Sequence, residues 1–308
     1  LVIWCLLDGK PGHQNQSLGL AEAIARQVAS TIVEVPLCAR TAGWRGLVTF
    51  NSQRYRSQPP PDLILGAGHR THLPLLALRK RFAARSIVLM RPSLPACCFD
   101  LCLIPEADQA LGSAANAIAT RGVLNRVVPA EDHHRQGGLI LIGGPSKHYQ
   151  WSDQQVFDQV QGVLQRRAEI PWQIGTSRRT PASFLSLCRG VCNQATIVTP
   201  DDVPAEWLLA QYRRAESIWV TEDSVSMTYE AVTSGSRVGL LELSAYRSNR
   251  VTRSIDALVD SADVTRYRDW NHRLPLAKRG TALAEADRCA TQVVSTLLGL
   301  NQPRIRAA

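Results

Sequence analysis

The sequence has no stretch approaching the roughly 18 consecutive apolar residues that a helix needs to cross a bilayer. A helical membrane span is therefore not expected. Its 8 cysteines include no C-x-x-C pair, and no histidine-rich segment accompanies them, so a zinc site is not expected either. Cys188 and Cys192 stand one helical turn apart and read as small buried residues. A chain of 308 residues can bury a core without disulfide staples, which points to a reducing cytoplasm. There is no GxxxxGK[ST] loop, which argues against ATP hydrolysis of the P-loop kind. There is no DxD motif, which accords with metal-independent chemistry. No basic run is interleaved with aromatics, so the class of nucleic-acid binders has only net charge in its favour. The apolar opening, residues 1–7, lacks a basic n-region and a small-residue cleavage site. It reads as a first strand rather than a signal peptide.

What is present is an ordinary globular composition, 45% hydrophobic and 20% charged, at a length that suits two domains. Strand and helix patterns alternate throughout. Residues 1–7 form a near-continuous apolar run, as in a strand buried on both faces. A polar turn over residues 8–16 follows, and Ser17 is positioned to cap a helix through residue 29. Strands are expected at 31–36, 62–65, 86–90 and 101–104, with a helix over 72–81. After a polar stretch near 129–136 the pattern restarts. Strands are expected at 139–142, 172–175, 195–198, 217–220 and 237–241. Helices are expected over 152–167, 181–191, 225–234 and about 280–298. Alternation of this kind predicts an α/β protein of two Rossmann-like, doubly wound parallel-sheet domains, with strand-end turns facing a shared cleft. The expected units are residues 1–135, residues 136–280, and a closing helix and tail over 281–308.

The net charge is +9. Arg54, Arg56, Arg70, Arg79, Lys80, Arg81, Arg85 and Arg91 concentrate in the first half. Such a face suits phosphates, nucleic acid or an anionic membrane surface, or is simply solvated. Ligands of open parallel sheets bind beyond the carboxyl ends of the strands, so the strand-end turns carry the information.

In the first half the turn Asp8-Gly9-Lys10-Pro11-Gly12-His13-Gln14-Asn15-Gln16-Ser17 gathers groups that can bond or ionise. His13 is the candidate general base, because imidazole can take a proton near neutral pH. Asp8 can orient it or act itself. Gly66-Ala67-Gly68-His69-Arg70 begins like a dinucleotide fingerprint but lacks the third glycine. Arg70 adds a forked cation, and His69 can cap the turn. Met90-Arg91-Pro92-Ser93 places another cation after a strand. In the second half Gly143-Gly144-Pro145-Ser146-Lys147-His148 resembles a phosphate cradle in composition. Arg178 and Arg179 follow the next strand. Thr221-Glu222-Asp223-Ser224-Val225-Ser226-Met227-Thr228-Tyr229-Glu230 runs from a strand into a helix whose N–H groups and hydroxyls suit a diphosphate. Glu230 lies one to two turns into that helix, on the side expected for ribose hydroxyls.

The motifs Asp8-Gly-Lys-Pro-Gly-His13 with Asn15-Gln-Ser17, Gly66-Ala-Gly-His-Arg-Thr71, Met90-Arg-Pro-Ser93, Thr120-Arg-Gly-Val-Leu-Asn125, Ile142-Gly-Gly-Pro-Ser-Lys-His148 and Val220-Thr-Glu-Asp-Ser-Val-Ser-Met227 resemble the plant mitochondrial-fission (elongated mitochondria) protein family and its bacterial relatives. The resemblance spans nearly the whole chain. It implies a GT-B fold, with an acceptor-binding first half and a nucleotide-sugar-binding second half. The segment from Asp223 to Glu230, with Gly235 and Val238, is similar to the donor motif of the peptidoglycan lipid-linked N-acetylglucosaminyltransferase. There the helix start holds the diphosphate and a glutamate holds the ribose. Pro11 departs from that enzyme's glycine run before the base.

On this resemblance the chain is expected to be a metal-independent glycosyltransferase. It would move a sugar from a nucleotide-sugar co-substrate to a hydroxyl of a cell-envelope glycolipid or glycan, such as lipopolysaccharide core. No other cofactor, no metal and no nucleic acid is expected. Donor binding is expected of Gly143, Gly144, Ser146, Lys147, Arg178, Arg179, Asp223, Ser224, Ser226, Met227 and Glu230. Acceptor binding is expected of Lys10, Asn15, Gln16, Gly68, His69, Arg70, Arg91 and Ser93, with His13 and Asp8 catalytic. The expected location is the cytoplasm, with peripheral contact to the anionic face of the inner membrane. The plant family also implies an alternative: a non-catalytic scaffold that recruits a partner protein.

Overall fold

A computed structural model describes residues 1–37, 58–108, 114–129, 135–191, 194–204, 206–271, 275–276 and 283–299. Arg54, Arg56, Cys38 and Cys192 lie outside these. The chain forms two compact units, Leu1–Arg126 with the C-terminal segment from Ala284, and Val127–Leu283. The sequence suggested a division at 135/136. Residues up to Arg126 stay with the first unit because Leu124 joins its core and Arg126 pairs with Glu22 at 2.6 Å. No helix of the described residues is long and apolar enough to cross a membrane.

The first unit has β1 (Val2–Leu7), α1 (Pro11–Gln27), β2 (Thr31–Pro36), β3 (Leu63–Ala67), α2 (His72–Phe82), β4 (Arg85–Leu89), β5 (Leu101–Pro105) and β6 (Ala117–Thr120). All neighbours are parallel, in the order β2-β1-β3-β4-β5-β6. The order reverses between β1 and β3, which marks the ligand crevice in open sheets. One face packs Ile3, Cys5, Leu63 and Leu65 beneath Ala21 and Ile24 of α1. The other packs Trp4, Leu6, Ile64 and Val88 against Leu75 and Leu78 of α2.

Helix α1 begins earlier than the Ser17 cap implies. Pro11 sits in its first turn, where its fixed φ is already helical and its missing N–H costs nothing. Lys10 is the extended N-cap. Ser17 is therefore a fully buried residue inside the helix. The last helix, α8 (Glu285–Leu298), returns to α1. Cys289, Ala290 and Val293 enter the first core, and Asp287 pairs with Arg26 at 2.6 Å. Residues 277–282, which include its expected start, lie outside the described set.

The second unit has β7 (Gly138–Ile142), α3 (Asp153–Arg166), β8 (Trp172–Thr176), α4 (Ala182–Val191), β9 (Ala195–Val198), α5 (Trp207–Arg214), β10 (Ser217–Thr221), α6 (Val225–Ser234), β11 (Arg237–Leu241), α7 (Arg250–Asp260) and β12 (Thr265–Arg266). Its sheet runs β12-β11-β10-β7-β8-β9. Counted within the unit and read from β9, that is the doubly wound order 3-2-1-4-5-6, with its switch between β7 and β10. Ser152 caps α3 by accepting from the Gln155 amide at 3.3 Å, as its position suggested. Helices α5 and α7 and strand β12 were not anticipated. No side chain caps α5, so its start carries no signal. Helix α7 does carry one, a capping box between Asn249 and Thr252.

A carboxylate staples the turn before β5 to β4. Asp100 Oδ2 accepts from the Ser86 amide at 2.8 Å and hydroxyl at 2.7 Å, and Oδ1 accepts from Arg85 at 3.2 Å. Burial alone would raise the Asp100 pKa, but the Ser86 bonds and the Arg79 and Arg85 guanidiniums bring it below the ordinary value. A depressed folded-state pKa adds stability at neutral pH that is lost as pH falls through the carboxylate range. Asp100→Asn is expected to destabilise the protein by about 1.5–3 kcal/mol at pH 7. Urea unfolding at stepped pH should show that difference shrinking below pH ~4.

Candidate functional site

The switch point of the first sheet brings together the turns after β1 and β3. Asp8 directly follows β1, and its side chain is 1% exposed. Its Oδ2 lies 2.8 Å from His13 Nδ1, and its Oδ1 accepts from the Lys10 amide at 3.1 Å. A carboxylate facing Nδ1 favours the tautomer with the proton there, which leaves Nε2 as the acceptor. The ring is 18% exposed, so it is reachable. Asp8 therefore orients His13 rather than meeting a ligand itself. Gly68 follows β3 with a φ of 82°. A β-carbon there would run into the His13 ring. The glycine serves both the left-handed turn and the close approach. Arg70 Nη1 reaches the Asp8 carbonyl at 3.4 Å, which ties the second turn to the first.

The remaining acceptor candidates divide. Lys10, His69, Arg91 and Ser93 are exposed, and Asn15 is half-buried. Gln16 is a correction: it is buried and its amide donates to the Gly12 carbonyl at 3.2 Å. Because α1 starts at Pro11, Gln16 falls in the helix rather than on an open turn. Two features escaped sequence reasoning. Met90, at the end of β4, holds a φ of 71°, a strained conformation for a side chain of its size. His72 is buried and its Nδ1 lies 3.0 Å from Ser93 Oγ. Burial first, and then His69, lower its pKa. The motif from Thr120 to Asn125 has a structural use: the Arg121 amide donates to Glu285 of α8 at 2.9 Å.

In the second unit the turns after β7, β8 and β10 are knitted by Asp223. Its side chain is 0% exposed and pairs with Arg179 at 2.7 Å. Burial pushes its pKa above the ordinary carboxylate value against the pull of Thr221, Arg179 and the Gly144 amide. Arg179 also donates to the Gly144 carbonyl at 3.1 Å. Ser177 and Thr180 both donate to the Gly143 carbonyl at 2.7 Å. A β-carbon on Gly143 would overlap the Asp223 carboxylate, so only glycine fits.

This corrects the phosphate-cradle reading of Gly143 and Gly144. The Gly143 amide is spent on Thr221 Oγ1 at 2.8 Å and the Gly144 amide on Asp223 at 3.1 Å. Ser146 Oγ likewise accepts from the His148 and Tyr149 amides. Asp223, buried two residues beyond the end of β10, and Arg179, from the turn after β8, act as braces. Glu230 is buried, with Oε2 accepting from the Tyr212 hydroxyl at 3.0 Å and Oε1 from Ser226 at 3.2 Å.

What the braces present is the start of α6. Its N-cap Ser224 makes no side-chain cap, and no acidic residue occupies the first turn. Such an end attracts anions through its N–H groups and dipole. Ser226 and Met227 are half-buried there, and Lys147 and Arg178 are exposed on the neighbouring turns.

Residues 11–297, which hold both constellations apart from Asp8, match the family model described as mitochondrial fission ELM1. The chain belongs to the mitochondrial fission ELM1 family. An uncharacterised protein of Rickettsia prowazekii is 22% identical to this ELM1-family chain, over 76% of it and 81% of the relative. Among solved structures, a Listeria monocytogenes protein described as a candidate UDP-N-acetylglucosamine 2-epimerase superposes with a TM-score of 0.62 at 12% identity, covering 100% of this chain and 99% of the other. The UDP-GlcNAc 2-epimerase of Neisseria meningitidis, solved bound to UDP-GlcNAc, gives 0.56 at 9% identity over 97% and 100%. AviGT4, a glycosyltransferase of avilamycin A biosynthesis, gives 0.51 at 14% identity over 95% and 92%. At such identities the likeness shows the fold: two Rossmann-like α/β units of GT-B type.

Gly68→Ala tests the first constellation. It is expected to cost about 1–3 kcal/mol. It should also displace the His13 ring from Asp8, read as a change in the His13 Nδ1 proton resonance. An unchanged resonance would show that Gly68 does not set the dyad.

Proposed function

We propose that this ELM1-family protein is a metal-independent glycosyltransferase. It transfers a sugar from a nucleotide-sugar donor to a hydroxyl of a glycolipid or glycan at the cytoplasmic face of a membrane. The observation that carries the reading is the uncapped N-terminus of α6 at the β7/β10 switch point. The donor diphosphate meets the α6 amides, with Lys147 and Arg178 as exposed cations beside them. Ribose bonds Ser226 and, by replacing the Ser226 hydroxyl, Glu230. That structural neighbours were solved with UDP-GlcNAc supports a nucleotide sugar as the ligand class.

The first unit supplies the base. The acceptor hydroxyl gives its proton to His13 Nε2 while its oxygen bonds the anomeric carbon. The bond from that carbon to the diphosphate breaks, and the nucleotide leaves with the electron pair. The imidazolium that forms is stabilised by Asp8 at 2.8 Å. The charge on the leaving diphosphate is met by fixed dipoles and cations already in place. Lys10, Arg70 and Arg91 suit an acceptor that itself carries phosphate.

Calorimetric titration with UDP-GlcNAc, GDP-mannose, ADP-glucose and CMP-sialate is expected to show binding of one of them. Binding of none, or acceptor-independent epimerisation of the sugar, would overturn the reading. His13→Ala is expected to lower kcat by about 10²–10⁴-fold while donor affinity holds. Asp8→Asn should behave similarly. The family's description as a mitochondrial fission family favours a second reading, a scaffold that recruits a partner protein. On that reading His13→Ala leaves the cellular phenotype intact.

A further inference from the structure

We propose that His72 is a positioning residue: it fixes the Ser93 hydroxyl as a hydrogen-bond donor to a phosphate oxygen carried by the acceptor. The inference rests on the first unit being the acceptor side of the proposed transferase.

Ser93 follows β4 and His72 opens α2, so both lie beyond the carboxyl ends of paired strands, β3 and β4. A single 3-10 turn, His69–Thr71, links them to the dyad of Asp8 and His13. Gly68, under the His13 ring, precedes the turn, and His72 follows it. Thr71 closes it, donating to the Gly68 carbonyl from its amide at 3.1 Å and from its hydroxyl at 2.8 Å. Strands β1 and β4 have β3 between them, which sets the ends that carry the dyad and Ser93 roughly 10 Å apart. The hydroxyl that reacts at His13 cannot also touch Ser93. A substituent farther along the same acceptor can.

Two local costs converge on this pair. The His72 ring is 1% exposed, and its Nε2 is buried with no hydrogen-bond partner among the described residues. A phenylalanine ring packed there, against Phe99 at 5.4 Å between centroids, would bury no unpaired nitrogen. Met90, which carries the chain from β4 toward Ser93, holds the positive φ that a side chain rarely adopts. Costs of this kind persist where they position a functional group. The group positioned here is the Ser93 hydroxyl, which is exposed, with its Oγ 3.0 Å from His72 Nδ1.

The unpaired Nε2 decides the direction of that bond. A proton on Nε2 would bury a donor with no acceptor, the rarer of the two defects. A proton on Nδ1 leaves only a lone pair unmet. Burial first, and then the charge of His69, hold the His72 pKa below its ordinary value, which keeps the ring neutral. The Nδ1–H therefore donates to Ser93 Oγ, and the hydroxyl's own proton is left for a ligand. A hydroxyl that accepts from a fixed N–H is the stronger donor for it. Arg91, exposed on the same turn, suits a ligand oxygen that carries negative charge.

The probe is glucose 6-phosphate, with glucose as its uncharged control, titrated by protein NMR into the full chain. Long-range proton–nitrogen spectra near neutral pH are expected to show His72 neutral with its proton on Nδ1. Glucose 6-phosphate is expected to bind and shift that resonance, and glucose is expected not to bind. Ser93→Ala and His72→Phe should each weaken glucose 6-phosphate about tenfold. His72→Asn, whose amide can stand in for the Nδ1 donor, should recover part of the loss. A merely structural histidine would let the Phe variant bind as the unaltered protein does. That result, a proton found on Nε2, no binding of glucose 6-phosphate or equal binding of glucose would overturn the proposal. Should His72→Phe fail to fold, Ser93→Ala decides alone, because Ser93 is an exposed residue. Glucose 6-phosphate binding that needs Ser93, in a protein to which no nucleotide sugar binds, would leave this site standing and remove the transferase reading. Nucleotide-sugar binding without it would do the reverse.

Discussion

The buried carboxylate of Asp223 is the contact on which the second unit's site depends. Moving a carboxylate out of water costs several kcal/mol even after relaxation. Here a guanidinium at 2.7 Å and a backbone amide at 3.1 Å offset that cost in part. The same atoms fix three strand-end turns against one another. Arg179 belongs to the turn after β8, Gly144 to the turn after β7, and Asp223 to the turn after β10. With that brace in place, α6 starts without a side chain capping it. The bracing groups and the uncapped helix start are therefore different residues, although they are neighbours in sequence.

The first unit uses the same device with a different partner. Asp8 follows β1 as Asp223 follows β10, and both are carboxylates buried at a switch point. Asp223 holds a guanidinium, which cannot give up a proton in a protein. Asp8 holds an imidazole, which can. One arrangement therefore serves as a static clamp and the other can serve as proton-transfer machinery. Gly68 and Gly143 complete the parallel, since each leaves room where a β-carbon would strike the neighbouring site residue.

Much of the scaffold was legible because a parallel strand buried on both faces must be apolar nearly throughout, and β1, β7 and β10 are. The capping hydroxyl of Ser152 and the helix start at Ser224 were equally plain. Less was legible where a residue's role depends on which way its element faces. Gln16 and Glu230 have polar side chains that suit ligands, yet each is turned into its own unit. The glycine amides of 143 and 144 look available in the sequence and are consumed by Thr221 and Asp223. Those partners stand about 80 residues away, at positions whose nearness depends on β7 pairing directly with β10.

By itself the sequence determined the alternation of strand and helix, the two-unit α/β class and the positions of the strand-end turns. These follow from local periodicity and from the polarity of residues a few places apart. The tertiary structure alone decided which turns meet, which polar groups stay accessible and which are spent on bracing. Strand order is set by long-range pairing, and a hydrogen bond across a switch point leaves no mark on the local pattern at either end.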